Sequence, residues 1–230
     1  MEGVLSFKSI LDLMANNYGL AGIFAPYGFG QIVLMMQIIG EINNHKDGVA
    51  IVMANETSRQ HWQDQMQRMN ISTERVLIDD EPLVTYSCIH SYLQQCHAES
   101  KKVSVICIEC LDIMERESIR YLEKLVEQFK VLILVNGFLT RDSGDYDPEL
   151  RPDMYSIGVF RNKLHGEGNQ ALAYNFLALL HRKHKCDRGI GVARRYDIQN
   201  ETELIVKRSW DWSLGSAFIK WNDKELKFEL

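Results

Sequence analysis

The segment between residues 24 and 32 has the glycine spacing of a strand-to-helix turn that could bind phosphate. A phosphate loop needs glycines for tight turns, a lysine for the phosphate oxygens and a Ser or Thr hydroxyl for magnesium. Gly28 and Gly30 are present, but Gln31 stands at the lysine position and Ile32 at the hydroxyl position. A neutral amide cannot offset the desolvation of a triphosphate as an ammonium can. The segment predicts a degenerate nucleotide site or a plain turn without a ligand. We expect no cofactor, and ATP with magnesium only if the altered loop still binds them.

Two carboxylates follow apolar segments and are the candidate catalytic residues. Glu56 comes after the segment 48–54, and Glu109 comes after the segment 102–108. In an open α/β sheet, ligands bind at the carboxyl ends of the strands, where both side chains would lie. Two interpretations stay open, since these residues could be remnants of a catalytic site or strand-end carboxylates with a structural role.

Short apolar runs alternate with amphipathic stretches along the chain, which predicts a mostly parallel sheet flanked by helices. The helix at 30–43 is apolar nearly all round, so we expect it to be central and covered on most sides. The pattern predicts strands at 20–25, 48–54, 76–79, 102–108 and 131–135, and helices at 30–43, 57–69, 83–99 and 115–129. Further on it predicts a loop at 141–152, a strand or helix at 172–180, and a closing antiparallel pair at 202–206 and 216–221.

The order of these elements and the residues at their ends resemble the C-terminal motor domain of DnaB-type replicative helicases, a branch of the RecA-like P-loop NTPase fold. The resemblance extends from about residue 20 to 230 and implies one RecA-like domain over 1–230, without the family's N-terminal domain. It places Glu56, in Asn55-Glu56-Thr57-Ser58, where the family's glutamate polarises the attacking water. It places Glu109 where an aspartate serves the metal.

The same resemblance implies that other parts of the ATPase machinery are replaced. Phe138 stands where a glutamine senses the γ-phosphate. Arg208 and Trp210 stand where a lysine and an arginine finger reach the neighbouring subunit's nucleotide, whereas Arg151-Pro152 is similar to the family's Arg-Pro. Four groups each contribute strongly to phosphoryl transfer: the loop lysine, the hydroxyl that binds magnesium, the glutamine that senses the γ-phosphate and the arginine finger. Their joint replacement predicts a non-hydrolysing interaction or assembly module linked to DNA replication or recombination. The alternatives are an ATP-dependent helicase with a non-standard loop and a simple DNA-binding protein.

The region 181–208 is the most basic part of the chain. Its candidate nucleic-acid contacts are Arg182, Arg194, Arg195 and Arg208, which could contact DNA phosphates or form a solvated face. DNA or a replicative helicase is the expected partner. Trp210 and Trp212 could stack on bases, but large aromatic residues favour a homo-oligomer interface at this edge.

Two cysteine-containing clusters have competing interpretations. Cys107 and Cys110 form a C-x-x-C at the end of an apolar strand, which favours buried small hydrophobic residues over a redox pair. His181, His184 and Cys186 could bind a metal, but their basic neighbours favour an exposed turn.

Composition sets the outer limits on function. The chain has 230 residues, a formal net charge of −5 and 46% hydrophobic residues. These values are ordinary for a globular protein. The negative net charge excludes a general electrostatic attraction of the whole chain to nucleic acid. No segment has the length of a membrane span or the order of a secretory signal, so we expect a cytoplasmic protein with no membrane partner.

Overall fold

The computed structural model describes residues 8–9, 18–25, 30–111, 114, 118, 121–138, 176–181, 201–207, 213–222, 225 and 227–229. Four helices are defined within these ranges: α1 Gln31–His45, α2 Arg59–Arg68, α3 Tyr86–Ala98 and α4 Leu122–Phe129. The strands are β1 Gly19–Ala25, β2 Val49–Met53, β3 Val76–Asp79, β4 Val103–Ile108, β5 Leu132–Phe138, β6 Phe176–His181, β7 Glu201–Lys207, β8 Ser213–Asn222 and β9 Lys227–Glu229.

All nine of these strands form one sheet in the order β3-β2-β4-β5-β1-β6-β7-β8-β9. The pairs from β3 to β6 are parallel, and β7, β8 and β9 add to the sheet in antiparallel fashion. The predicted fold class, a mostly parallel sheet with antiparallel strands at the C-terminal end, is therefore confirmed. The undecided segment 172–180 contributes a strand at Phe176–His181.

Alternation along each parallel strand divides the core between the two faces of the sheet. On β4, Val105 and Cys107 face α1 and α2, whereas Ile106 and Ile108 face α3 and α4. Such two-sided burial explains why these strands are continuous apolar runs rather than alternating ones. No helix among the described residues is long and apolar enough to cross a membrane.

Helix α1 is the central helix that its composition predicts. One side packs on the parallel strands, and Ile219 of β8 and Phe228 of β9 contribute to the same core cluster. One of the buried polar residues on this helix, Gln37, bonds to the backbone of Phe228. Its Nε2 donates to the Phe228 carbonyl at 2.8 Å, and its Oε1 accepts from the Phe228 N–H at 3.0 Å. Gln37 therefore holds β9 in place.

Helix boundaries differ from the predicted ones where side chains cap the first turn. Ser58 accepts from the His61 N–H, so α2 begins at Arg59 rather than at Thr57. Thr85 accepts from the Cys88 N–H, so α3 begins at Tyr86 rather than at Leu83. Both are side-chain N-caps of the ordinary kind, in which a hydroxyl binds an otherwise unpaired amide.

Candidate functional site

The parallel strands bring the ends of β1, β2, β4 and β5 to one edge of the sheet. Register places Met53 beside Ile108, and Ile108 beside Val135. Glu109 therefore lies between the loop after β2 and the end of β5. The predicted candidates Gly30, Glu56 and Glu109 all lie at this carboxyl-terminal edge, as expected for a parallel sheet.

The described part of the phosphate-loop region is the start of α1. Gly30 has a positive φ of 83°, a conformation that glycine adopts without strain, and the helix has no side-chain cap there. Gln31 is only 4% exposed, and Ile32 packs against the core cluster on the α1 face. Gly28 lies outside the described residues. Among the described residues of this turn, none carries a cation or a side-chain hydroxyl.

The Glu109 carboxylate is the centre of a buried hydrogen-bond cluster. Its Oε2 accepts from the backbone N–H groups of Glu56 and Thr57, each at 2.9 Å. Its Oε1 accepts from the Thr57 hydroxyl at 2.6 Å and from the Trp62 indole Nε1 at 3.2 Å. The residue is 0% exposed. A carboxylate offers about four acceptor positions, and all of them are used here. We call Glu109, Thr57, Trp62 and the Glu56 N–H the Glu109 cluster.

Two asparagines fix the backbone on either side of this carboxylate. The Asn55 side chain forms a pair of 2.9 Å bonds with the Cys110 backbone, donating to its carbonyl and accepting from its N–H. The Asn136 Nδ2 donates to the Glu109 carbonyl at 2.7 Å. Asn136 is fully buried and its Oδ1 has no partner among the described residues. The loop after β2 and the chain after β4 are thus joined by side-chain bonds.

Glu56, the other candidate catalytic residue, is exposed at this edge of the sheet. Its backbone N–H belongs to the Glu109 cluster, so the position of the residue depends on that carboxylate. The two candidate carboxylates are therefore brought close together, but they differ in solvent exposure. One side chain faces solvent, and the other is buried among donors.

The end of β3 carries a second acidic pair that positions helices α2 and α3. Asp80 accepts from the Arg59 N–H at 3.0 Å at the start of α2, and this bond lowers the pKa of Asp80. Asp79 accepts from the Cys88 thiol at 3.4 Å and also binds the Tyr92 hydroxyl. Burial, followed by this contact with Asp79, raises the pKa of Cys88 to about 11 and that of Tyr92 to about 12. These groups are therefore protonated near neutral pH.

The C-x-x-C cysteines behave as small hydrophobic residues. Cys107 and Cys110 are both buried and neither forms a disulfide, and burial raises the pKa of the Cys107 thiol. A raised pKa is the opposite of what a redox thiol needs.

One further predicted site position lies within the described residues. Phe138 is the last residue of β5 and pairs with Ala25 in register. The following lie outside the described residues: Arg151, Pro152, Arg182, His184, Cys186, Arg194, Arg195, Arg208, Trp210 and Trp212. Sequence reasoning also missed Asn55, Thr57, Trp62 and Asn136. For Asn55, Thr57 and Asn136 the available signal was a polar residue at or just after the end of a predicted buried strand, whereas Trp62, inside α2, had no such signal.

Comparison with known proteins identifies the fold. No protein-family model matches the chain, and no curated protein matches it. Among solved structures, the ATPase domain of G40P superimposes with a TM-score of 0.70 at 14% identity, over 92% of this chain and 84% of that one. This chain has the fold of a DnaB-like helicase ATPase domain. A DnaB-like replicative helicase, solved with its interactions with primase, gives 0.69 at 14% identity over 91% of this chain.

The predicted resemblance to DnaB-type motor domains is therefore confirmed at the level of the fold. The chain spans 57% of the length of that second helicase. The start of α1 and the Glu109 cluster lie at the same carboxyl-terminal edge of the parallel strands.

Proposed function

We propose that this chain is a catalytically degenerate DnaB-like protein, a non-hydrolysing interaction or assembly module linked to DNA replication or recombination. The observation that carries the proposal is the Glu109 cluster. A carboxylate that serves a metal must present an oxygen to the site, but both oxygens of Glu109 accept bonds from the chain itself. In this position Glu109 is a structural residue.

The start of α1 supports the same conclusion. Magnesium prefers oxygen ligands in an octahedral arrangement, and Ile32 offers none. Gln31 is neutral and nearly buried, so it adds no positive charge to an incoming triphosphate. Magnesium-ATP therefore fits these residues poorly.

The partners follow from the fold and from the sequence. A DnaB-like fold without hydrolysis would act by binding, either to DNA or to a replicative helicase. Arg182, Arg194, Arg195 and Arg208 are the proposed DNA contacts, and Trp210 with Trp212 is the proposed edge for assembly. Binding to DNA phosphates would weaken steeply as salt increases.

Thermal unfolding of the whole chain with magnesium-ATP, ADP and a short single-stranded DNA tests this function. A ligand at one hundred times its Kd adds about 2.7 kcal/mol, which raises the Tm of a chain this size by several degrees. We expect no magnesium-dependent shift with ATP. A shift with ATP that requires magnesium would show that this edge of the sheet still binds the nucleotide with its metal, and would overturn the proposal.

A further inference from the structure

A groove of about 590 Å³ opens at the opposite edge of the sheet from the Glu109 cluster. Its walls are the C-terminal half of α1, the segment 69–75 before β3, and the end of the β8–β9 hairpin. Its volume is in the range of sites that bind ligands or short peptide segments. The groove is independent of the proposed function at the other edge.

The floor of the groove is apolar and firmly built. Met69 and Phe228 are buried beneath it, and Ile71 packs over Gly40 of α1. A Cβ at Gly40 would meet the Ile71 side chain at 3.2 Å, so the glycine allows this close approach. Gln37 already occupies the outward N–H and carbonyl of Phe228, so β9 has no free bonding position there for an added strand. A ligand must be recognised through side chains.

The rim of the groove is acidic. Among the described residues, four carboxylates line it, against two cationic side chains: Glu41, Glu74, Glu225 and Glu229, against Arg75 and Lys227. The Arg75 guanidinium donates to the carbonyls of Asn43 and Lys46 at the end of α1. Lys227 pairs with Glu225 at 2.6 Å. Because α1 also directs the negative end of its dipole here, the groove favours a positively charged ligand.

Asn43 lines the groove, but its side-chain amide belongs to the core beneath it. Its Oδ1 accepts from the buried Ser104 hydroxyl at 3.4 Å, and its Nδ2 is fully buried. A ligand in the groove therefore contacts the charged rim and the apolar floor, and not this amide.

We propose that this groove binds a basic peptide segment of a partner protein. A Lys or Arg side chain of that segment lies among the rim carboxylates, and an adjacent apolar side chain contacts the floor at Met69 and Ile71. Charge complementarity selects this occupant over an acidic or neutral one.

Selection of a random twelve-residue peptide display library on the full chain tests the proposal. We expect enriched peptides that carry Lys or Arg beside an apolar residue. Their synthetic copies should bind about tenfold more weakly to the double variant Glu74→Lys, Glu229→Lys, because like charges then face the ligand. The double variant Glu81→Lys, Glu127→Lys, on exposed positions outside the groove, is the matched control and should bind as the original chain does.

Three results would overturn the proposal. The first is no enrichment, and the second is enrichment of acidic or neutral peptides. The third is binding that the groove variant leaves unchanged while its unfolding curve stays intact. Self-association of the chain that is abolished by the same two substitutions would replace the peptide with a second copy, and would also reject it.

Discussion

The hydroxyl of Thr57 donates a 2.6 Å hydrogen bond to Oε1 of Glu109, and the N–H of Thr57 donates to Oε2 of the same carboxylate. Both oxygens are therefore held by one residue of the loop after β2. The Trp62 indole and the Glu56 N–H fill the remaining acceptor positions. The carboxylate after β4 thus joins the loop after β2 to α2 at the carboxyl-terminal edge of the parallel strands.

Glu109→Gln should strongly destabilise the chain. The new amide NH2 would face two donors in place of an acceptor, and bonds to a charged group contribute about 1.5–3 kcal/mol each. We expect a loss of at least about 3 kcal/mol, or roughly 6–12 °C in Tm. Chemical denaturation measures this loss. Glu127→Gln, at an exposed position on α4, is the control and should change stability by less than about 0.5 kcal/mol. A neutral effect of Glu109→Gln would show that the carboxylate is not structural.

Thr57→Val should cost about 1–2 kcal/mol, because it removes the hydroxyl that binds Oε1 while nearly preserving side-chain shape. Thr57→Ser keeps the hydroxyl and should recover most of that loss. A neutral Thr57→Val beside a destabilised Thr57→Ser would mean that packing of the Thr57 methyl group, and not its hydrogen bond, stabilises the loop.

Gln37→Leu should loosen β9 from α1. The substitution leaves the N–H and carbonyl of Phe228 buried without partners, at about 1–3 kcal/mol for each group. Amide hydrogen exchange at Phe228 should become much faster than in the original chain. Gln128→Leu, at an exposed position of α4, is the control. Unchanged exchange at Phe228 would show that β8 alone holds the strand.

Stability should fall at alkaline pH, because burial, and after it the contact with Asp79, favours the protonated forms of Cys88 and Tyr92. Both Cys88 and Tyr92 have a raised pKa in the folded chain, so their contribution is complete below their ordinary pKa values of 9.0 and 10.0. It is lost as pH rises through about 11 for Cys88 and about 12 for Tyr92. Denaturant unfolding across this range should show a smaller decline in Cys88→Ala and Tyr92→Phe. Tyr121→Phe, outside this cluster, should leave the slope unchanged.

Local patterns in the sequence were sufficient to predict the fold class and the central helix. Because α1 is apolar on most of its surface, a second element had to pack on the side that faces away from the parallel strands. The hairpin of β8 and β9 contributes Ile219 and Phe228 to that packing. The strand β9 itself was missed, because three residues, Lys227–Glu229, are too few to show alternation. Its position depends on Gln37, a contact across 191 residues of sequence.

The site was predictable in location but not in chemistry. Strand ends identified Glu56 and Glu109 as neighbours at one edge of the sheet. The donors to Glu109 lie 47 to 53 positions earlier in the chain, and only the β2–β4 register brings them to it. Sequence alone therefore left the structural and catalytic interpretations of Glu109 open, whereas the hydrogen-bond geometry favours the structural one.

Steady-state phosphate release from magnesium-ATP by the purified chain, with and without single-stranded DNA, tests the central claim most directly. The account predicts no release above that of a protein-free control, and no difference between the original chain and Glu56→Gln. Magnesium-dependent release that Glu56→Gln abolishes would contradict it, because the edge of the sheet would then hold a working ATPase site.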